Sequence, residues 1–215
     1  MGRVAGPSAP GWTSLLLATA SVGIANSVVF SLLSDLQDRY GFADAGLGMI
    51  AGAGMAVGFV SQLLLAPLAD RGHSKTLLLA GLVAAITGSL IFAASSSLVM
   101  LVIARAVVGC SNGLFLPAAR AIAASMSDEG VGERLGTLGG VELAGFVTGP
   151  VIGGVLVGPL GVRWPFLVCG AFALVALVAL VPRSLPAPPI APNAARLGLD
   201  LLRLRLRSWS TAHRS

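Results

Sequence analysis

Residues 143–162 read Leu-Ala-Gly-Phe-Val-Thr-Gly-Pro-Val-Ile-Gly-Gly-Val-Leu-Val-Gly-Pro-Leu-Gly-Val, twenty positions without a charge. Arg163 interrupts, and residues 164–182 continue uncharged. A spanning helix needs about 20 mostly apolar residues at about 1.5 Å rise each to cross about 30 Å of hydrocarbon. Working outward, residues 4–34, 45–69 and 76–104 are also free of charge. Only 11% of the 215 residues are charged and 55% are hydrophobic, whereas soluble domains carry roughly a quarter charged residues. An ordinary soluble enzyme, a disordered chain and a disulfide scaffold are excluded. The runs are continuous and about twice too long for tilted barrel strands, so the spans are helical.

Six spans follow, at about 12–34, 44–67, 76–94, 98–121, 135–158 and 164–181, giving an all-α polytopic membrane protein. Residues 1–11 form a short leading segment, residues 12–182 the six-helix bundle, and residues 183–215 a Pro-rich linker with a basic tail. The first run exceeds the roughly 7–15 residues of a signal h-region, so it reads as an uncleaved span. Four prolines in residues 183–195 oppose a regular helix there. Arg203, Arg205 and Arg207 beyond it suit either anionic headgroups or a solvated tail.

With the N-terminus in the cytoplasm, Arg3, Arg71, Lys75, Arg120, Arg134, Arg183 and the five tail arginines lie inside. Only Arg39 and Arg163 lie outside. That bias puts both termini on the cytoplasmic side of the cell membrane. The net charge of +5 is thus an orientation signal. Nucleic acid is not expected as a partner, because the arginines share no helix face and no aromatic platform accompanies them. Cys110 and Cys169 lie inside apolar runs as packing residues, and no metal cluster or nucleophile–base set is present. His73 and His213 read as solvated.

Glycines recur four apart at Gly48/Gly52, Gly54/Gly58, Gly109/Gly113, Gly136/Gly140, Gly145/Gly149 and Gly149/Gly153. Such pairs open a flat strip where another helix can approach closely. Charges inside a span cost about 2.5–3.5 kcal/mol each and usually line a cavity or pair. Arg105 and Glu142 are the two clear cases. Their depths, each about 10–12 Å by helical rise, predict a cavity-facing pair in which Glu142 carries a proton, or else a static salt bridge. Asp35 reads as a cavity acid or a solvated helix end. Asn26 and Gln62 read as cavity polars or as interhelical hydrogen-bonding groups.

Three local patterns together resemble the major facilitator superfamily of secondary transporters. Ala66-Pro67-Leu68-Ala69-Asp70-Arg71-Gly72-His73-Ser74-Lys75 is similar to the loop motif G-x-L-a-D-R-x-G-R-K, keeping Asp70, Arg71 and Lys75. Arg105-Ala-Val-Val-Gly109-Cys-Ser-Asn112-Gly113 resembles R-x-x-Q-G-x-x-x-G, with Val108 in the polar position. Gly145-Phe-Val-Thr-Gly149-Pro150-Val-Ile-Gly153-Gly154 matches G-x-x-x-G-P-x-x-G-G in full, a pattern of the antiporter branches.

The resemblance implies half of a family fold, since family members carry twelve or fourteen spans. It implies a small organic substrate, efflux driven by a proton gradient, and no cofactor. Arg105, Glu142 and Asp35 would serve coupling, and Asn26, Gln62 and Asn112 the cavity. Asp70 would latch onto the other half, and Pro150 would bend its helix. Six spans leave room for a homodimer, a separately encoded second half, an inactive truncated half, or a scaffold that binds a partner protein.

Overall fold

The computed structural model describes residues 10–127 and 129–186, without the side chains of Pro10, Asp70 and Arg71. The expectations for the leading segment, for the tail and for the side chains of Asp70 and Arg71 lie outside the described residues. Seven helices are present among the described residues: α1 Pro10–Ser31, α2 Leu33–Tyr40, α3 Asp44–Leu68, α4 Ser74–Ala94, α5 Leu98–Ser125, α6 Val131–Leu160 and α7 Trp164–Leu180. Five of them (α1, α3, α4, α5 and α6) are long and apolar enough to cross a membrane. The sixth expected span, α7, has 17 residues, at the short limit of spanning length.

The expected first span ends early. The backbone breaks at Leu32 (φ −106°, ψ 1°), and a separate helix α2 continues to Tyr40. It is amphipathic: Leu36 is buried, and Asp38 and Arg39 are exposed. Gly41, at φ 70°, closes it by donating its N–H to the Gln37 carbonyl at 2.8 Å. On the opposite end of the bundle, α3 turns directly into α4 through Ala69–His73, where Gly72 has φ 86°. Only glycine adopts that conformation without strain. The loop motif's second glycine is therefore present in function but displaced one position, with Gly72 taking the turn and His73 following it.

The helices interlock crosswise. α3 and α4 pack against α5, while α6 packs against α1, and α7 closes the back against α4 and α1. Thus, of the triplets α1-α3-α4 and α5-α6-α7, each packs its middle helix against the first helix of the other. One apolar cluster, including Trp12, Leu78, Phe115 and Leu180, fills the end near the α3–α4 turn. A second, including Val28, Ile50, Leu101 and Phe166, fills the other end. The middle helices flank the bundle: 17% of the apolar window of α3, and of α6, is buried, against 67% for α1.

Two glycine seams hold the crosswise pairs. Between α3 and α5, a Cβ on Gly109 would collide with the Gly54 carbonyl, and one on Gly113 would stand 2.5 Å from Ser61 Cβ. Between α1 and α6, a Cβ on Gly145 would stand 2.5 Å from the Ala20 carbonyl oxygen, and Gly149 and Gly153 face the hydroxyls of Ser27 and Ser31. Gly48, Gly52, Gly136 and Gly140 meet nothing within 4 Å, so those two pairs open no seam within this bundle.

Candidate functional site

Among the described residues Arg105 is the largest fully buried side chain, 1% exposed. It projects from α5 into the junction with α1 and α3. Its Nη1 donates to the Asn26 backbone oxygen at 2.8 Å and to Asn26 Oδ1 at 3.2 Å. Asn26 Nδ2 in turn donates to the Val108 carbonyl at 3.4 Å, so the two helices are tied in both directions. The guanidinium carbon lies 5.1 Å from the centre of the Phe30 ring, where the ring face attracts a cation. Gly54 supplies the remaining space, since a Cβ there would overlap the guanidinium. Arg105 Nε is buried without a hydrogen-bond partner.

The expected pairing of Arg105 with Glu142 is not formed. Glu142 instead accepts from Arg120 Nη2 at 3.1 Å, with the two side chains 27% and 49% exposed. The reason is the crosswise packing. α6 leans on α1, with the Glu142 carbonyl against Gly23, and touches α5 only sparingly. Where it does, it meets Arg120, 15 residues or about 22 Å along α5 from Arg105. Helical rise alone therefore does not bring the two charges together, and Arg105 faces a different neighbour, Asn26.

The other expected residues fall in three places. Asn26 joins Arg105, as just described. Gln62 and Asn112 are half-buried and adjoin one contact of the α3–α5 seam, where a Cβ on Gly113 would stand 2.8 Å from the Gln62 nitrogen. Asp35 lies apart in the first turn of α2, at the positive end of that helix dipole. Along the antiporter-type pattern, Gly145, Gly149 and Gly153 turn inward to α1, while Gly154 meets nothing within 4 Å. α6 runs on through Pro150.

Sequence reasoning passed over Phe30 and marked Gly54 only as a packing position. Phe30 stands four residues after Asn26, hence on the same helix face, which is the signal that could have found it. Arg120 was counted only as a topological charge. Two other residues counted that way are also committed within the bundle. Lys75 Nζ donates to the Val181 and Arg183 carbonyls at 3.0 and 2.9 Å. Arg134 donates to the carbonyls of Ala123 at 2.9 Å, Glu129 at 2.8 Å and Ser127, bracing the α5–α6 loop.

Comparison with known proteins places this geometry among transporters. The sequence model described as Major Facilitator Superfamily matches residues 15–214. The multidrug resistance protein B homolog of Mycobacterium tuberculosis is 36% identical over 138 residues, 62% of this chain and 25% of that protein. The multi-drug resistance efflux pump PmrA of Streptococcus pneumoniae is 31% identical over 173 residues, 78% of this chain and 42% of that protein. Among solved structures, the peptide transporter POT in complex with sulfate aligns with a TM-score of 0.73 at 15% identity. That alignment covers 94% of this chain and 45% of POT. A bacterial homolog of the human lysosomal transporter Spinster aligns with a TM-score of 0.72 at 17% identity, over 82% of this chain and 43% of that one. The chain spans less than half the length of each.

Proposed function

Because the chain belongs to the Major Facilitator Superfamily, we propose that it acts as one six-helix half of a proton-coupled efflux transporter for small organic solutes. It is a multi-pass membrane protein of a transporter family, not an enzyme. The observation that carries the proposal is coverage. Nearly the whole described bundle aligns with just under half of a solved transporter, so a second six-helix unit completes it. The exposed apolar flanks of α3 (Met55, Phe59, Leu63) and α6 (Leu143, Val147, Val151) are the surfaces available to that unit. Any second unit of six spans, on this polypeptide or on another, keeps the number of spans even. Both termini are assigned to the cytoplasm, with Lys75, Arg120, Arg134 and Arg183 at that end of the bundle.

In this reading Glu142 carries the proton and Arg120 is its counter-ion. Ionised, the carboxylate ties α6 to α5. Protonated, it loses the charge that holds Arg120, and the two helices separate at that end. Arg105 keeps a fixed position through Asn26 and Phe30, holding α1 to α5 while the Glu142 end opens. Asn26, Gln62 and Asn112 would contribute polar groups toward the substrate path.

The test is reconstitution of the purified chain in liposomes, with the mass of the assembly measured in parallel. Efflux of a lipophilic dye is then driven by an imposed pH gradient. Proton-dependent efflux by a dimer, lost in Glu142→Gln, supports the proposal. Efflux that appears only after a second six-span protein is supplied assigns the separately encoded half. Coupling unchanged in Glu142→Gln removes the proton from this residue. A monomer inert under every condition returns the chain to the reading of a half without transport of its own.

A further inference from the structure

The sequence places a linker immediately after the last span, from residue 183 onward. In the structure the first part of that segment is tied down. Val181 N–H donates to the Leu177 carbonyl at 2.9 Å and Arg183 N–H to Leu180 at 3.1 Å, so the backbone tightens as α7 ends. The carbonyls left over at a helix C-terminus carry its partial negative charge. Here the cation that meets them comes from another helix. Lys75, in the first turn of α4, bridges the Val181 and Arg183 oxygens with one ammonium group. Two residues further on, Leu185 is half-buried and packs against the apolar cluster at this end of the bundle. Its Cδ2 lies 3.2 Å from where a Cβ on Gly11 would stand, so the missing side chain at the start of α1 forms its seat.

We propose that residues 181–186 are a strap docked across the end of the bundle, clasped by Lys75 and seated by Leu185 on Gly11. Residues 181–186 therefore run from the end of α7 to a place beside the start of α1. Lys75 directly follows the α3–α4 turn at Ala69–His73. The strap couples any displacement of that turn to residues 181–186. Lys75 is thus a positioning residue for that strap. The inference stands whether or not transport is proton-coupled.

Trypsin supplies the test, because the carbonyl of its Arg183–Ser184 bond is one of the two that Lys75 holds. Cleavage of a backbone segment tracks the population of its open form when reclosure is fast. The full chain is incubated with trypsin in nanodiscs, and the rate of cutting at Arg183–Ser184 is read by mass spectrometry. Lys75→Met and Leu185→Asp are each expected to raise that rate at least about tenfold over the unaltered chain. Gly11→Val, which fills the Leu185 seat, is expected to raise it by a smaller factor, and Lys75→Arg to stay within about threefold. Lys75 is polar and near the surface, so Lys75→Met is expected to fold even where Leu185→Asp does not. Equal cutting rates in Lys75→Met and the unaltered chain, with the bundle's helicity intact, would overturn the strap.

Discussion

The two glycine seams share an architecture and differ in what they enclose. Both join an outer triplet's middle helix to the first helix of the other triplet. In the α3–α5 seam the glycines face rigid obstacles, namely the backbone of Gly54 against Gly109 and the hydrogen-bonded guanidinium of Arg105 against Gly54. In the α1–α6 seam two of the four glycines, Gly149 and Gly153, meet serine hydroxyls first, while Gly23 and Gly145 meet backbone; each of those serines already bonds its own helix, Ser27 to the Gly23 carbonyl and Ser31 to that of Val28. The first seam therefore encloses a buried charge, and the second is lined in part by hydroxyls that can rotate, most freely at Gly153, whose next neighbour is a carbonyl at 3.3 Å. The same residue spacing makes seams of unequal tolerance.

Substitutions test that contrast. Gly109→Ala places a methyl group onto backbone that cannot turn aside. It is expected to cost about 3 kcal/mol, the upper end for overpacking, read as loss of resistance to unfolding in mixed SDS micelles. Gly145→Ala also meets backbone, at 2.5 Å, and about 2 kcal/mol is expected in the same assay. In Gly153→Ala, Ser31 can swing away and the next atom is a carbonyl at 3.3 Å, so the cost should stay below about 1 kcal/mol. If Gly153→Ala is as damaging as Gly109→Ala, the proposed difference between the seams is wrong. Arg105→Met removes a buried cation with no carboxylate partner among the described residues but leaves Asn26 Oδ1 without its donor, so stability should fall by about 1 kcal/mol. Reconstituted efflux should nevertheless be lost. Smallest of all, Gly154→Ala meets open space and should leave the bundle's stability unchanged. Any loss of transport in that variant then reports contact with the second half.

The spans were legible because long uncharged runs have no other stable solution in lipid. Helix α2 was not, because Leu33–Tyr40 mixes Asp35, Asp38 and Arg39 with a single buried leucine, Leu36, and so reads as a polar loop. Four-residue spacing correctly marks Gly54, Gly109, Gly145 and Gly149 as packing positions. It marks Gly48/Gly52 and Gly136/Gly140 equally, because spacing tells which residues share a face and not whether a neighbour covers it. Arg105 and Glu142 show the same limit. Counting helical rise named neither partner, because which side chains meet depends on which helices pack together. Arg105 faces Asn26 and Glu142 faces Arg120 because α6 rests on α1.

One dimension of the bundle reaches beyond the protein itself. α7 is 17 residues long, about 25 Å at 1.5 Å per residue, and Phe172, Val175 and Val178 on its outer side are exposed. The surrounding acyl chains are about 5 Å too tall for it, so the bilayer must thin locally along that flank, at a fraction of a kcal/mol per Å of mismatch. The flank should gather short or loosely ordered lipids around itself. In phosphatidylcholine vesicles of graded acyl length, the folded fraction should accordingly peak at thinner membranes than the other five spans would choose.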